Sequence, residues 1–254
     1  MSSPRVCWVI GHPVEHSLSP VIHNAAFTAL GLDWKYFAVS VPEGRAADAV
    51  AAMRSLRVAG MSVTMPHKAA VIEVVDRVTP TAERLGAVNC LTWRGTQIEG
   101  DSTDGAGFLD SLRVDHGWDP DGRRCVVVGA GGAARAIVAA LADAGAADVG
   151  VVNRSPARAE VAAALAGPRG RVAGPEAVDD ADLVVNATPV GMGDDGALPV
   201  DADRLGAGQV VVDIVYDPIE TALLAEARRR GAVPVNGVGM LVHQAAHAFR
   251  AWTG

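Results

Sequence analysis

Lysine is the scarcest charged residue of this chain. Lys35 and Lys68 are the only lysines among 22 basic side chains, and the net charge is −7. An acidic chain without a long basic run is a poor candidate for binding nucleic acid. An anionic ligand would have to be held by local cations and helix N-termini. Because arginine otherwise replaces lysine, a retained lysine is a candidate for chemistry that a guanidinium cannot perform.

Cysteines and long apolar runs are also few. Cys7, Cys90 and Cys125 are scattered and form no C-x-x-C, which favours a reducing compartment and no structural zinc. No apolar run approaches the roughly 18 residues of a membrane span, and no basic-then-apolar leader opens the chain. His243 and His247 lie four residues apart but without an H-E-x-x-H motif, so no metal site is predicted. We expect a cytoplasmic protein that contacts neither membrane nor nucleic acid.

What is abundant is alanine, glycine and valine. Half of the 254 residues are apolar and 4% are aromatic, which suits an α/β protein of one large or two modest domains. Apolar strand patterns alternate with helical ones, as in a parallel sheet. The pattern predicts Ser19 as a helix N-cap, a strand from Val58 to Thr64, a helix from about His67 to Val75, and a polar loop at 193–196.

The stretch from Cys125 to Arg154 is the most organised part of the chain. An apolar strand runs into Gly129, Ala130, Gly131, Gly132 and Ala133, and a helix and a second strand follow. This spacing fits G-x-G-x-x-A, in which backbone N–H groups at a helix N-terminus approach a pyrophosphate. The alternative is a glycine- and alanine-rich turn in an ordinary βαβ unit.

The end of the second strand indicates which dinucleotide is bound. Asn153 and Arg154 stand where an NAD-binding unit usually places a carboxylate, and Arg158 follows one turn later. A guanidinium suits a 2′-phosphate, so the favoured cofactor is NADP(H). Solvated surface arginines are the alternative.

Two further positions have chemical potential. Thr64 and Lys68 follow the end of the third predicted strand, where open α/β sheets bind ligands. Asp104 precedes a helix, from about Gly105 to Asp115, that we expect to join two domains. Lys68 could instead be a solvated cation, and Asp104 could be a helix cap.

A set of short motifs runs along the chain from Gly11 to the last helix. They are Gly11-x-Pro13-x-x-His16-Ser17-x-Ser19-Pro20-x-x-His23-Asn24, Val63-Thr64-x-Pro66-x-Lys68, Gly86-Ala87-Val88-Asn89, Thr103-Asp104-Gly105, the loop at 129–133, Asn153-Arg154, Asn186-Ala187-Thr188-Pro189, Asp213-x-x-Tyr216-x-Pro218 and Gly239-Met240-Leu241-x-x-Gln244. In this order and at this spacing, the motifs make the chain resemble the shikimate dehydrogenases from Gly11 to Gly254.

The resemblance implies reversible, NADPH-dependent reduction of 3-dehydroshikimate to shikimate, in aromatic amino-acid biosynthesis. It implies an N-terminal α/β substrate domain, residues 1–104 with the last helix 238–254, and a C-terminal Rossmann domain, residues 105–237. A homodimer is compatible with it.

The resemblance also assigns roles to residues. Lys68 and Asp104 match the catalytic pair. Substrate positions fall on Ser17, Ser19, Thr64, Asn89, Tyr216 and Gln244. Cofactor positions fall on the loop 129–133 and on Asn153, Arg154, Arg158, Thr188, Ile214, Gly237 and Met240. On the residues alone, Met240 could equally be core, and Tyr216 could be a packing residue.

Three positions depart from the family pattern. Ser62 and Ser102 stand in place of asparagines, and Cys90 in place of a common threonine, which leaves secondary polar contacts open. Two alternative functions remain. One is a quinate/shikimate dehydrogenase using NAD, disfavoured by Arg154 and by the Ser17–Ser19 pair. The other is a non-catalytic binding paralogue, disfavoured by the retained Lys68 and Asp104.

Overall fold

A computed structural model gives the structure of the chain, and it describes residues 5–193 and 196–254. The chain forms two compact units. One comprises the residues up to Thr103 together with Gln244–Gly254, and the other is Asp104–His243. Asp194 and Asp195 of the predicted polar loop lie outside the described residues.

The first unit is a mixed six-stranded sheet with helices. Its elements, in chain order, are β1 (Arg5–Gly11), α1 (Ser19–Ala29), β2 (Trp34–Ser40), α2 (Ala46–Ser55), β3 (Gly60–Val63), β4 (Arg77–Val78), α3 (Pro80–Leu85), β5 (Cys90–Arg94) and β6 (Gln97–Asp101). The strand order is β2-β1-β3-β5-β6-β4. The strands β2, β1 and β3 are parallel, whereas β5 is antiparallel to both of its neighbours.

Each face of this sheet has its own apolar core. One face packs Met53 and Val50 of α2 against Ile10 and Met61. The other packs Phe27 of α1 and Trp252 near the C-terminus against Cys7 and Tyr36. The Trp252 indole donates to the carbonyl of Leu91 at 3.1 Å and lies where a Cβ on Gly60 would stand, so only glycine permits this approach.

The second unit is an all-parallel six-stranded sheet. Its elements are α4 (Asp104–Asp110), a π-helical turn (Ser111–Asp115), β7 (Arg124–Val128), α5 (Gly132–Asp143), β8 (Asp148–Val152), α6 (Pro156–Ala164), β9 (Gly170–Val172), β10 (Leu183–Asn186), β11 (Val210–Asp213), α7 (Ala222–Arg229) and β12 (Val233–Val235). The order β12-β11-β10-β7-β8-β9 is that of a Rossmann fold, 6-5-4-1-2-3 in the unit's own numbering. The α/β fold class expected from the sequence is confirmed.

The last helix, α8 (Val238–Thr253), contributes to both units. In the second unit Gly239 lies against Ser111 and Asp115 with no room for a Cβ, and His243 contacts Asp115 at 3.1 Å. From Gln244 onward the helix belongs to the first unit, where Ala248 and Trp252 are core. None of the helices in the described part of the chain is long and apolar enough to cross a membrane.

Two local predictions are wrong. The helix expected from about His67 is a turn followed by a short 3₁₀ segment, Ala70–Val74, because β-branched Val71, Ile72 and Val74 weaken α-helix propensity. Ser19 is the first helical residue rather than the N-cap, and Leu18 holds the cap position. The Ser17 hydroxyl accepts from the Ser19 amide at 3.3 Å, a local turn that takes over the capping.

Candidate functional site

Four of the chain segments at the carboxyl edge of the first sheet bear on the predicted site. The parallel strands β1 and β3 end there. Because β5 runs the other way, its beginning lies at that edge, and β6 ends there after the hairpin. Most residues predicted to bind substrate follow or precede these ends. The sheet topology therefore explains why residues far apart in sequence share one edge.

Thr64 and Lys68 are held by backbone hydrogen bonds after β3. The Thr64 amide donates to the carbonyl of Ile10 at 2.9 Å, and the Lys68 carbonyl accepts from the amide of Val88 at 2.8 Å. The Thr64 methyl lies against Gly11, too close for a Cβ there. Lys68 is half-buried. Both residues are thus fixed between the end of β1 and the segment that leads into β5.

Asn89 is the most firmly held polar side chain at this edge. It is 4% exposed, its Oδ1 accepts from the amide of Thr103 at 2.8 Å and its Nδ2 donates to the Thr103 hydroxyl at 2.9 Å. The same Nδ2 lies 3.5 Å from Oε1 of Gln244. The structure therefore brings Asn89 and Gln244 together, although 155 positions separate them.

Ser17 and Ser19 follow β1 in the same unit. Ser17 is half-buried, and Ser19 is 7% exposed at the start of α1. Ser62, one of the departures from the family pattern, accepts a 2.7 Å hydrogen bond from the Tyr36 hydroxyl. That hydroxyl would otherwise be buried without an acceptor in the apolar face, so Ser62 has a structural partner in this chain.

Asp104 opens the second unit as the first residue of α4. It is 6% exposed. Thr103, the residue before it, is the one that Asn89 holds. A Cβ on Gly105, the residue after it, would stand 2.9 Å from the Ala136 carbonyl oxygen of α5, so the two helices approach closely there. The backbone on both sides of Asp104 is therefore fixed.

The glycine loop lies between β7 and α5, as predicted. Gly129 has φ +118°, and a Cβ there would stand 2.7 Å from the Ala187 carbonyl. Gly131 precedes the helix, and a Cβ there would meet nothing within 4 Å. Gly129 is thus required by the turn, whereas Gly131 leaves open space at a helix N-terminus. That space suits a phosphate held by backbone N–H groups.

Asn153, Arg154 and Arg158 follow β8 in the same unit. Asn153 is tied to the backbone, its Nδ2 donating to the Ser155 carbonyl at 3.0 Å. Arg154 and Arg158 are exposed, and neither forms an ion pair with any residue that the structure describes. By contrast, Arg171 of the neighbouring strand β9 is paired with Asp148 at 3.0 Å. The two guanidinium groups are therefore available to an anionic ligand.

The remaining predicted cofactor residues lie at the carboxyl ends of β10 and β11 and at the start of α8. Thr188 and Ile214 are half-buried, as is Tyr216. Gly237 is pressed against the Ile214 carbonyl, with no room for a Cβ. Met240 is 8% exposed within the second unit's core, so packing alone accounts for its side chain.

Sequence reasoning assigned no role to Asn186 and Asp213, although both stand in quoted motifs. Each has an exposed fraction of 0%, and they share a hydrogen bond of 2.9 Å. An amide and a carboxylate at the ends of two apolar strands were the available signal. Within residues 5–193 and 196–254, no three His, Cys, Asp or Glu side chains are grouped to hold a metal.

Family models match three stretches of the chain. Residues 9–91 match the shikimate dehydrogenase substrate binding domain, and residues 237–254 match the shikimate 5′-dehydrogenase C-terminal domain. Residues 124–216 match the NADP oxidoreductase, coenzyme F420-dependent model, a range that contains β7 to β11 of the second sheet.

Full-length similarities agree with these matches. The shikimate dehydrogenase (NADP(+)) of Methanopyrus kandleri is 47% identical over 98% of this chain and 90% of its own. The crystal structure of the Thermus thermophilus shikimate 5-dehydrogenase with NADP(H) and shikimate has a TM-score of 0.92 and 39% identity, covering 98% of this chain and 94% of that one. Quinate dehydrogenase from Corynebacterium glutamicum with NAD has a TM-score of 0.89 at 33% identity, covering 100% and 95%. The chain belongs to the shikimate dehydrogenase family.

Proposed function

We propose that this chain catalyses the reversible NADPH-dependent reduction of 3-dehydroshikimate to shikimate. The observation that carries the proposal is Lys68, half-buried at the ligand-binding edge of the first sheet and joined through Val88 to the segment that holds Asn89. Shikimate is a small carboxylate with three hydroxyl groups. The hydroxyl and amide side chains of this edge supply the directional hydrogen bonds that such a ligand needs.

The residues of the second unit fit NADP(H). The open space at Gly131 and the N-terminus of α5 suit the pyrophosphate. Arg154 and Arg158, exposed and without an ion-pair partner among the described residues, suit the 2′-phosphate. The cofactor supplies the hydride when it is bound. The chain holds it by the loop 129–133, by Asn153, Arg154 and Arg158, and by the segments that contain Thr188, Ile214, Gly237 and Met240.

Lys68 and Asp104 divide the acid–base work. Hydride transfer to a ketone leaves negative charge on its oxygen, and the ammonium of Lys68 stabilises that charge and donates a proton. An arginine there would stabilise the charge but could not readily give up the proton. Asp104, whose backbone follows the residue held by Asn89, orients the ammonium and accepts a hydrogen bond from a substrate hydroxyl.

Ser17, Ser19, Thr64, Asn89, Tyr216 and Gln244 then bind the substrate carboxylate and hydroxyls. Asn89 supports this assignment because its amide is already oriented by Thr103, so little conformational entropy is lost on binding. A site built around hydroxyl groups rejects analogues that lack them, since its buried polar atoms would remain unpaired.

The deciding experiment follows absorbance at 340 nm with shikimate or quinate, each with NADP or NAD. We expect activity with shikimate and NADP to exceed the other three combinations. Preference for quinate with NAD would instead place the chain with the Corynebacterium enzyme. Binding of ligands without turnover in any combination would indicate a non-catalytic paralogue.

A homodimer and a cytoplasmic location remain predictions. The three cysteines are free and buried, which agrees with a reducing compartment. Light scattering of the purified chain tests the dimer, and fractionation of the source cells tests the location.

A further inference from the structure

Asn186 uses every hydrogen-bonding position of its amide. Its Nδ2 donates to Asp213 Oδ1 at 2.9 Å and to the Val190 carbonyl at 3.0 Å. Its Oδ1 accepts from the amide of Thr188 at 3.0 Å and from the Thr188 hydroxyl at 2.7 Å. Two donors and two acceptor sites are the full capacity of this side chain. One buried amide thus fixes the loop after β10 and attaches it to β11.

The carboxyl group of Asp213 acts as the acceptor in three hydrogen bonds. Its Oδ1 accepts from Asn186 and from the amide of Val215 at 3.0 Å, and its Oδ2 accepts from the Thr221 hydroxyl at 2.7 Å. Burial raises the pKa of this carboxyl, although all three hydrogen bonds oppose that shift. A carboxylate acceptor is the form that three donors stabilise. It fixes the backbone of the segment after β11.

These contacts begin where the sheet ladder ends. Asn186 and Asp213 are the last paired residues of β10 and β11, so the strands are already joined by backbone hydrogen bonds up to that point. What the two side chains add is control over the loops beyond. Those loops contain Thr188 and Ile214, which we assign to the cofactor, and Tyr216, assigned to the substrate.

We propose that Asn186 and Asp213 are positioning residues for the nicotinamide half of bound NADP(H). They act through Thr188 and the 214–216 segment and do not touch the cofactor. The inference rests on the proposed function for its assignment of these loops to the nicotinamide end. It predicts that loss of the pair weakens binding of the nicotinamide half of the cofactor and leaves binding of the 2′-phosphate end unchanged.

Gln209 offers a matched control at the opposite end of β11. It is also a buried amide, 6% exposed. Its Oε1 accepts from the Gly206 amide at 2.8 Å and its Nε2 donates to the Val178 carbonyl at 2.7 Å. The same change from amide to acid can therefore be made at both ends of one strand, where it removes two donated hydrogen bonds at Asn186 and one at Gln209.

The experiment compares Asn186→Asp with Gln209→Glu. Asn186→Asp places a carboxyl oxygen against the Asp213 carboxylate and the Val190 carbonyl. We expect NADPH, titrated by its fluorescence, to bind roughly tenfold more weakly, as the loss of about one hydrogen bond would cause. Calorimetry with adenosine 2′,5′-bisphosphate, which lacks the nicotinamide, should give an unchanged affinity. Turnover should fall more than the shikimate KM rises.

Gln209→Glu should lower the melting temperature without changing the ratio of NADPH to bisphosphate affinity. The proposal would be overturned if Asn186→Asp bound NADPH as tightly as the wild type does. It would also be overturned if Asn186→Asp lost affinity for NADPH and for the bisphosphate by the same factor, or if Gln209→Glu changed the ratio of the two affinities as Asn186→Asp does. Should Asn186→Asp fail to fold, Asp213→Asn gives the same comparison. A wild-type chain that binds NADPH but does not turn over shikimate would contradict the proposed function while leaving the affinity ratio readable.

Discussion

The two sheets of this chain present different chemistry at their carboxyl edges. In the second unit all strands are parallel, and the groups that we assign to the cofactor are largely backbone N–H groups of a glycine loop and two exposed arginines. In the first unit the antiparallel β5 brings the start of one strand beside the ends of others. That edge therefore carries side chains from many segments, including Asn89 and Lys68.

The difference follows from the ligands. Phosphates are recognised by N–H groups and guanidinium groups with little need for individual side-chain hydrogen bonds. A polyhydroxy acid needs separate donors and acceptors placed around a ring. We therefore assign substrate recognition and chemistry to the first unit, most of which matches a substrate binding domain, and cofactor selection to the second, which matches an NADP oxidoreductase model.

The largest test of this division is Lys68→Ala. We expect turnover to fall by roughly 10²–10⁴-fold, the range for a lost acid–base group. Substrate affinity should fall much less, because Lys68 acts most strongly where charge develops. Steady-state kinetics with shikimate and NADP, with fluorescence binding of substrate alongside, measures both.

Lys68→Arg is the control for charge. It should restore little turnover, since the guanidinium does not readily transfer a proton. Asp104→Asn should also impair turnover, and the double variant should be little worse than the worse single one, because the losses overlap. Near-wild-type turnover in Lys68→Ala would contradict the assignment of the acid–base step to Lys68 of the first unit.

The second test concerns stability of the first unit. Burial beside Tyr36, Phe249 and Trp252 lowers the pKa of His23 to about 4, below the unfolded value of about 6.5. Between these values the unfolded chain binds a proton that the folded chain does not. The stability that His23 contributes is therefore complete above about pH 6.5 and falls as the pH falls, by roughly 2–3 kcal/mol at pH 4.5.

Urea unfolding at pH 7 and pH 4.5 checks this. His23→Phe keeps an aromatic ring beside Tyr36 without a titrating group, so its stability should decrease less between the two pH values. His116→Gln, an exposed change in the second unit, should behave as the wild type does. An equal pH slope in wild type and His23→Phe would contradict the interpretation of His23 as a buried neutral histidine.

The sequence revealed most of the second unit and less of the first. The strands and helices around the glycine loop follow from short apolar runs on either side of a helical pattern and from the glycine turn between the first strand and the helix. β9 was missed, because Gly170–Val172 has three residues and little buried surface. β4 has only two residues, Arg77–Val78, and no periodicity can be read from so short a segment.

The candidate site residues were predicted one by one from motifs, and the hydrogen bonds among them were not. Thr64, Asn89 and Gln244 were named from motifs, yet the bonds from Asn89 to Thr103 and toward Gln244 depend on tertiary structure. The buried partnership of Asn186 with Asp213 is likewise invisible in sequence, since it joins two strand ends 27 positions apart. The sequence placed the N-cap at Ser19, whereas Leu18 holds that position and the Ser17 hydroxyl accepts from the Ser19 amide.

The third test addresses cofactor choice in the second unit. Arg154→Asp should weaken the binding of NADP by roughly 10- to 100-fold, because a charge-assisted hydrogen bond to the 2′-phosphate is lost and the new carboxylate repels that phosphate. Affinity for NAD, which lacks that phosphate, should change far less. Michaelis constants for both cofactors measure the effect, with Arg171→Asp, already paired to Asp148, as a control for surface charge. An unchanged NADP constant would show that Arg154 does not recognise the phosphate.

The smallest expected effect is the most specific to the comparison. Gln244→Ala and Ser17→Ala should each raise the shikimate KM by about two- to tenfold, the value of one neutral hydrogen bond, while NADP affinity stays within experimental error.

Gln244 is the first residue of α8 that belongs to the first unit, whereas His243 belongs to the second. His243→Ala, which removes the contact with Asp115, is therefore a neighbouring control with no assigned role in substrate binding. It should leave the shikimate KM unchanged. If Gln244→Ala instead weakened NADP binding and left the shikimate KM unchanged, the assignment of this part of α8 to the substrate would be wrong.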